Sequence, residues 1–184
     1  MCGIIGIYHS NDNIIKQLID GIIHLKHRGR NGYGITIKKD EHYTTYKNTD
    51  NINREEIMTC FKGHDKATIG IAHTRYSTSY KKNKVSTNLC QPFKGEHKTL
   101  GEFYIVHNGH INFPDRFYDK YGSDLNDSQI LVKVLEEYQC NDWKETIKLV
   151  CETIPGVYSL IIMANDKLYA FKDRFGLRPL CVGK

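Results

Sequence analysis

The strands and helices implied by this chain arrive in groups, and that grouping limits what it can build. Residues 2–8, Cys-Gly-Ile-Ile-Gly-Ile-Tyr, form a short apolar run that reads as a buried strand starting almost at the first residue. Asn13 then precedes Ile14, Ile15, Leu18, Ile22 and Leu25 at helical spacing, with Gly29 as the stop. Tyr33 to Lys38 and Tyr43 to Lys47 alternate like paired strands, and Ala67 to His73 and Phe103 to His107 read as two more. Asp127 opens a run that puts Ile130, Leu131, Val134 and Leu135 on one face, and an acid suits a helix N-terminus. Trp143 to Ile154 is a second amphipathic helix, stopped by Pro155-Gly156. Tyr158 to Met163 and Leu168 to Lys172 make a hairpin around Asn165-Asp166, and Leu180 to Val182 is a last short strand. Repeats and low-complexity linkers are absent from the sequence. Without regular βαβ alternation, the expectation is an α+β layered fold.

Bulk properties narrow the function classes. A chain of 184 residues fits one domain able to bury a real core, and 40% hydrophobic with 26% charged residues is a globular balance. The net charge of +5 is modest. Its longest basic block, Lys81-Lys82-Asn83-Lys84, reads as a solvated loop rather than a basic stripe with interleaved aromatics, so no nucleic-acid partner is expected. No apolar run approaches the roughly 18 residues of a membrane helix, and Met1-Cys2-Gly3 lacks a basic signal-peptide start, so no membrane partner is expected. The six cysteines are scattered without a C-x-x-C pair, which implies reduced thiols and a cytoplasmic setting. His107-Asn108-Gly109-His110 has no carboxylate or cysteine at ligand spacing, so neither a metal nor a cofactor is expected. Asn126-Asp127-Ser128 fits the glycosylation pattern by chance.

The second residue carries chemistry of its own. An initiator methionine is normally removed before a residue as small as cysteine, which leaves Cys2 as the true terminus. Its α-amine then has a pKa of about 7.7–8.0, close enough to neutral pH to serve as a base. The thiol, ordinarily with a pKa of about 8.5, lies within the same residue. Nucleophile and base can thus share one residue, the cysteine counterpart of a threonine activated by its own terminal amine. Gly3 removes side-chain bulk beside it. A cysteine at position two is otherwise an accident, and on its own the accident is the simpler reading.

Other blocks accompany it. Cys2-Gly3-Ile4-Ile5-Gly6-Ile7, Leu25-Lys26-His27-Arg28-Gly29, Ile71-Ala72-His73-Thr74-Arg75-Tyr76, Gln91-Pro92-Phe93, Val106-His107-Asn108-Gly109 and Asp173-Arg174-Phe175-Gly176-Leu177-Arg178-Pro179-Leu180 follow one another along the chain. In content and order they resemble the class II, N-terminal-nucleophile glutamine amidotransferases over nearly the whole length. Within that family the chain resembles the glutaminase half of amidophosphoribosyltransferase through His-x-Arg-Tyr, Gln-Pro-Phe and the Arg-Pro-Leu ending. The glutaminase half of glucosamine-6-phosphate synthase is next, and asparagine synthetase fits less well at Arg75 and Asn108. The resemblance implies a four-layer αββα sandwich and a single glutaminase domain over residues 1–184, with the phosphoribosyltransferase domain absent.

The resemblance also implies roles. Cys2 is the nucleophile, and Asn108, through its side-chain amide, and Gly109, through its backbone N–H, receive the oxyanion. Arg75 holds the α-carboxylate of L-glutamine and Asp127 its α-ammonium, while Tyr76, Ser77 and Thr78 start a lid over the substrate. Simpler readings stand beside these: Asn108-Gly109 is a favoured turn dipeptide, and Asp127 can cap its helix. A turn is expected as a second role of Asn108-Gly109. His73 and His107 read as scaffold. Two departures bear on rate and specificity. Asn31 stands where the family commonly has an acid, and Ser79-Tyr80 replace the glycine often found after Arg-Tyr-x-Thr. The implied reaction is hydrolysis of the glutamine side-chain amide, with ammonia passed to an acceptor domain or subunit. A glutamine-binding module without turnover and a hydrolase of γ-glutamyl compounds are the alternatives.

Overall fold

The computed structural model describes residues 1–9, 13–77 and 86–183. The chain starts with β1 (Gly3–Tyr8) and α1 (Ile14–His24). Asn13 caps α1 by accepting from the Ile15 N–H, and Ile14, Ile15, Leu18, Ile19 and Ile22 bury one face. The helix stops at His24, and a 3-10 turn over Leu25–Arg28 carries the chain on to Gly29. The hairpin β2 (Tyr33–Lys39) and β3 (His42–Asn48) follows, then α2 (Arg54–Cys60) and β4 (Ile69–Thr74). The second half holds β5 (Phe93–His97), β6 (Gly101–Ile111), α3 (Asp115–Tyr121), α4 (Asp127–Glu137), α5 (Trp143–Thr153), β7 (Gly156–Ala164) and β8 (Lys167–Lys172).

Two antiparallel four-stranded sheets result, ordered β1-β4-β2-β3 and β5-β6-β7-β8. Side-chain alternation divides the apolar residues among three cores. Ile5, Ile7, Ile35, Ile37 and Ala72 face α1 and α2 on one side of the first sheet. Phe103, Ile105, Leu160 and Ile162 face the second helical layer, which brings Ile130, Leu131, Trp143 and Val150. Ile4, Ile69, Ile71, Tyr104, Val106, Ile161 and Met163 close the space between the sheets. The order of layers is therefore helix, sheet, sheet, helix, as expected.

Several local readings need correction. Leu180–Val182 is not a strand: these residues lie outside both sheets, with Val182 86% exposed, so no neighbour satisfies their backbone as a ladder. Asn108-Gly109 is not a turn but lies inside β6, opposite Ser159 and Tyr158 of β7. Three elements gave no clear pattern. Helix α2 buries only Ile57, α3 buries no residue fully, and β5 alternates through glycine, lysine and glutamate. The Lys81–Lys84 block lies outside the described residues.

Candidate active site at the open end of the two sheets

Cys2 sits just before β1, half-buried, and its backbone is fixed from both sides. Arg28 Nε donates to the Cys2 carbonyl at 3.0 Å, and the Gly3 N–H donates to Thr74 Oγ1 at 3.1 Å. Thr74 Oγ1 in turn donates to the Leu25 carbonyl, 3.2 Å away. A Cβ at Gly3 would lie 2.6 Å from Thr74 Oγ1 and 2.8 Å from Leu25 Cβ, so the crowding here demands glycine.

The Tyr76 N–H donates to Cys2 Sγ at 3.4 Å. Burial pushes the thiol pKa up; the Tyr76 backbone contact, the terminal amine and the Arg75 guanidinium pull it down, and the Asp127 carboxylate adds to the rise. Burial prevails, so the thiol holds its proton at neutral pH unless a base takes it. In the chain with Met1 attached, the Cys2 nitrogen is an amide and cannot be that base.

The stretch that carries Arg75 is clipped to the residues after the 3-10 turn. The Arg75 N–H donates to the Gly32 carbonyl (2.7 Å), the Asn31 N–H to the Arg75 carbonyl (2.9 Å), and the Ser77 N–H to Asn31 Oδ1 (3.0 Å). Asn31 thus does by its amide oxygen what a carboxylate would do, without adding a charge. No carboxylate pairs with the Arg75 guanidinium among the described residues, although its charge acts on Cys2 and on His73. Tyr76 meets the nucleophile through its backbone, while its side chain is 52% exposed. Thr78 lies outside the described residues.

Asp127 does not cap its helix. Asn126 does, in a reciprocal box with Gln129: Asn126 Oδ1 accepts from the Gln129 N–H, and Gln129 Oε1 from the Asn126 N–H. The Asp127 carboxylate is turned toward β6 and accepts the Ile111 N–H on Oδ2 at 3.0 Å. Its Oδ1 accepts the Ser128 N–H at 2.8 Å.

The edge of β6 settles where the Gly109 amide points. Tyr158, its cross-strand neighbour, spends its own N–H and carbonyl on Asp173. Gly109 and Tyr158 therefore form a non-hydrogen-bonded pair, and the Gly109 N–H turns away from β7. On that side β5 has already ended, since Phe93 is opposite Ile105. Amides two residues apart along a strand point the same way. Of these, the His107 N–H is taken by Gln91 Oε1 (2.5 Å) and the Ile111 N–H by Asp127 Oδ2. Between them, no side chain accepts the Gly109 N–H among the described residues. A Cβ on Gly109 would lie 2.1 Å from the Val157 carbonyl, so the strands approach as closely as only glycine allows. Asn108, 4% exposed, alternates with Tyr104 and Val106 and so faces the space between the sheets, the side on which Cys2 and Arg75 also fall.

His73 and His107 are both buried and neutral at neutral pH. Burial is the main cause in each case, lowering His73 to about 3 and His107 to about 4. His107 Nδ1 lies 2.7 Å from Ser128 Oγ, whereas among the described residues the His73 ring makes no well-formed hydrogen bond, with the His107 backbone near it. Among the described residues no group of three or more His, Cys, Asp or Glu side chains is placed to hold a metal. A surface groove of about 1010 Å³ beside α2, lined by Arg30 and residues 49–56, contains none of the candidate residues. Gln91, Ser128, Asn31 and Arg28 are contributors that sequence reading left without a role, although Gln91 and Arg28 stood within noticed motifs and Asn31 was marked as a departure from the family pattern.

No family model matches the chain. Among curated proteins, amidophosphoribosyltransferase of Methanocaldococcus jannaschii is 36% identical over the whole chain, which spans 40% of that relative. The rat protein of the same name is 30% identical over the whole chain, which spans 38% of it. The chain thus spans about two fifths of the length of these relatives. Among solved structures, glutamine phosphoribosylpyrophosphate amidotransferase from B. subtilis superposes with a TM-score of 0.72 at 22% identity, over 97% of this chain and 38% of the other. Similar in sequence to amidophosphoribosyltransferases along its full length and sharing a layered fold with a solved amidotransferase, the chain resembles the glutaminase domain of the class II glutamine amidotransferases.

Proposed function

We propose that the chain hydrolyses the side-chain amide of L-glutamine to glutamate and ammonia through a thioester on Cys2, and that the ammonia goes to an acceptor synthase domain or subunit. One observation carries the reading: the Arg75 guanidinium and the Asp127 carboxylate, far from Cys2 in sequence, both come near enough to act on the Cys2 thiol, beside an open strand edge. With Met1 removed, the terminal amine takes the thiol proton. The sulfur attacks the amide carbon, and the carbonyl oxygen becomes an oxyanion held by the Asn108 side-chain amide and the Gly109 N–H. Collapse breaks the C–N bond, and the amine returns its proton to the departing nitrogen, which leaves as ammonia. Water then attacks the thioester, with the amine again as base, and releases glutamate and the free thiol.

Arg75 supplies a planar fork for the α-carboxylate, and Asp127 an acceptor for the α-ammonium. Tyr76 and Thr78 complete the substrate-binding set. The six free thiols support a cytoplasmic setting. No helix among the described residues is long and apolar enough to cross a membrane.

The test is direct. The mass of the mature N-terminus is measured, and the chain is then incubated with glutamine and with γ-glutamyl dipeptides while ammonia and glutamate are followed. Release from glutamine by the processed chain alone is the expected result. Turnover of dipeptides only would make it a γ-glutamyl hydrolase, and binding of glutamine without turnover a binding module.

A further inference from the structure

The Gln-Pro-Phe block has no part in the mechanism above, yet Gln91 is 6% exposed and fully engaged behind the site. Its Oε1 accepts the His107 N–H (2.5 Å), and its Nε2 donates to Ser128 Oγ (3.2 Å). Ser128 Oγ lies 2.7 Å from His107 Nδ1 and donates to Asp127 Oδ1 at 3.3 Å. A hydroxyl has one hydrogen. The arrangement that uses every contact sends that hydrogen to Asp127, with Ser128 Oγ accepting from Gln91 and from His107 Nδ1–H. The hydroxyl is then saturated, and a buried saturated network holds its members rigidly.

The consequence falls on Gly109. Gln91 holds the amide two residues before it and Asp127 the amide two residues after, and Ser128 joins the two clamps. His107 Nε2, without a partner, lies 3.0 Å from where a Gly109 Cβ would be, so the same ring also sits under this residue. We propose that Gln91 and Ser128 are positioning residues that act as one unit, fixing the direction of the Gly109 N–H and the orientation of the Asp127 carboxylate. This rests on the hydrolase reading above, since it assigns those two groups their tasks.

The test uses the processed full chain and the variants Gln91→Leu, Ser128→Ala, their combination, and Ser128→Thr. Kinetics are measured well below each variant's melting midpoint. Gln91→Leu should lower kcat by roughly tenfold or more while KM changes less than about threefold, because the oxyanion donor is misaimed and the ends of glutamine are still held. Ser128→Ala should raise KM as well as lower kcat, and Ser128→Thr, which keeps the hydroxyl, should restore both. The double variant should be no worse than the poorer single one. If Gln91→Leu does not fold, the Ser128→Ala and Ser128→Thr pair decides by itself. Folded variants with parental kcat and KM, or losses that multiply in the double variant, would overturn the inference. A second readout needs no turnover: the Gly109 amide proton resonance should move in Gln91→Leu and Ser128→Ala and stay put in Ser128→Thr. A parent chain that releases no ammonia sinks the hydrolase reading, whereas an unmoved Gly109 amide sinks this one.

Discussion

At the scale of single residues, the resemblance singled out the candidate actors and geometry supplied what they lean on. Cys2, Arg75 and Asp127 are candidates because the family resemblance carries them, and their chemistry suits what glutamine hydrolysis requires. The roles of Asn31, Gln91 and Ser128 could not be read this way, because their partners include backbone amides that only the tertiary fold brings near. Cys2→Ser should lose nearly all turnover while still binding glutamine. A glutamine analogue with an electrophilic side chain should add its mass once, at Cys2, and labelling at Cys60 or Cys151 would count against the assignment. Arg75→Lys keeps the charge but loses the planar fork, so calorimetry should show glutamine bound more weakly by about 1.5–3 kcal/mol. Asp127→Asn has a sharper expected signature now that Asn126 is seen to cap the helix. Glutamine binding should weaken by a similar amount, on the order of 1.5–3 kcal/mol, while an N-acylated glutamine is spared. Equal losses for both ligands would mean that Asp127 serves only the Ile111 amide.

At the scale of elements, the informative error is β6. Asn-Gly is a strong turn signal because both residues tolerate unusual backbone angles, and nothing local argues otherwise. The strand runs through it because the β7 partner is covered by close packing at Val157 and Tyr158, which a sequence does not display. Gly109→Ala should therefore act at two levels. Its methyl would meet the Val157 carbonyl, so the strands must part, with a stability loss of about 1–3 kcal/mol typical of overpacking. The misdirected amide should also cost turnover, at up to about 2.7–4 kcal/mol of barrier for a lost oxyanion donor. A urea titration and kcat measured on the same sample separate the two effects. Short elements were missed for another reason. Helices that bury one residue or none, like α2 and α3, have no periodic apolar stripe to find.

At the scale of the whole molecule, the layered architecture was readable because strands and helices come in groups without regular βαβ alternation, and because the motifs resemble a family with an αββα sandwich. What the sequence left out was how deeply several titratable rings would be buried. Three histidines, His73, His97 and His107, have pKa values lowered chiefly by burial. The folded state therefore binds fewer protons than the unfolded chain at mildly acid pH. Their contribution to stability is intact above an unfolded pKa near 6.5 and is lost progressively as pH falls from there toward the folded values of about 3 for His73 and about 4 for His107. Each can contribute a slope of no more than about 1.4 kcal/mol per pH unit. Urea midpoints taken from pH 7.5 to 5 should fall steadily, and a flat profile would mean that these rings reach water or partners in solution.

The sheet order has a consequence in time. β1 is an edge strand, and its single neighbour β4 ends at Thr74. On a ribosome adding about 5–20 residues per second, the first residues wait several seconds or more for the strand that will hold them. Until then the leading end is loose and open to an aminopeptidase, and once β4 is in place it is pinned beside Arg28 and Thr74. Met1 itself stays 55% exposed, so what the arrival of β4 withdraws is the Cys2–Gly3 backbone that an aminopeptidase must grip.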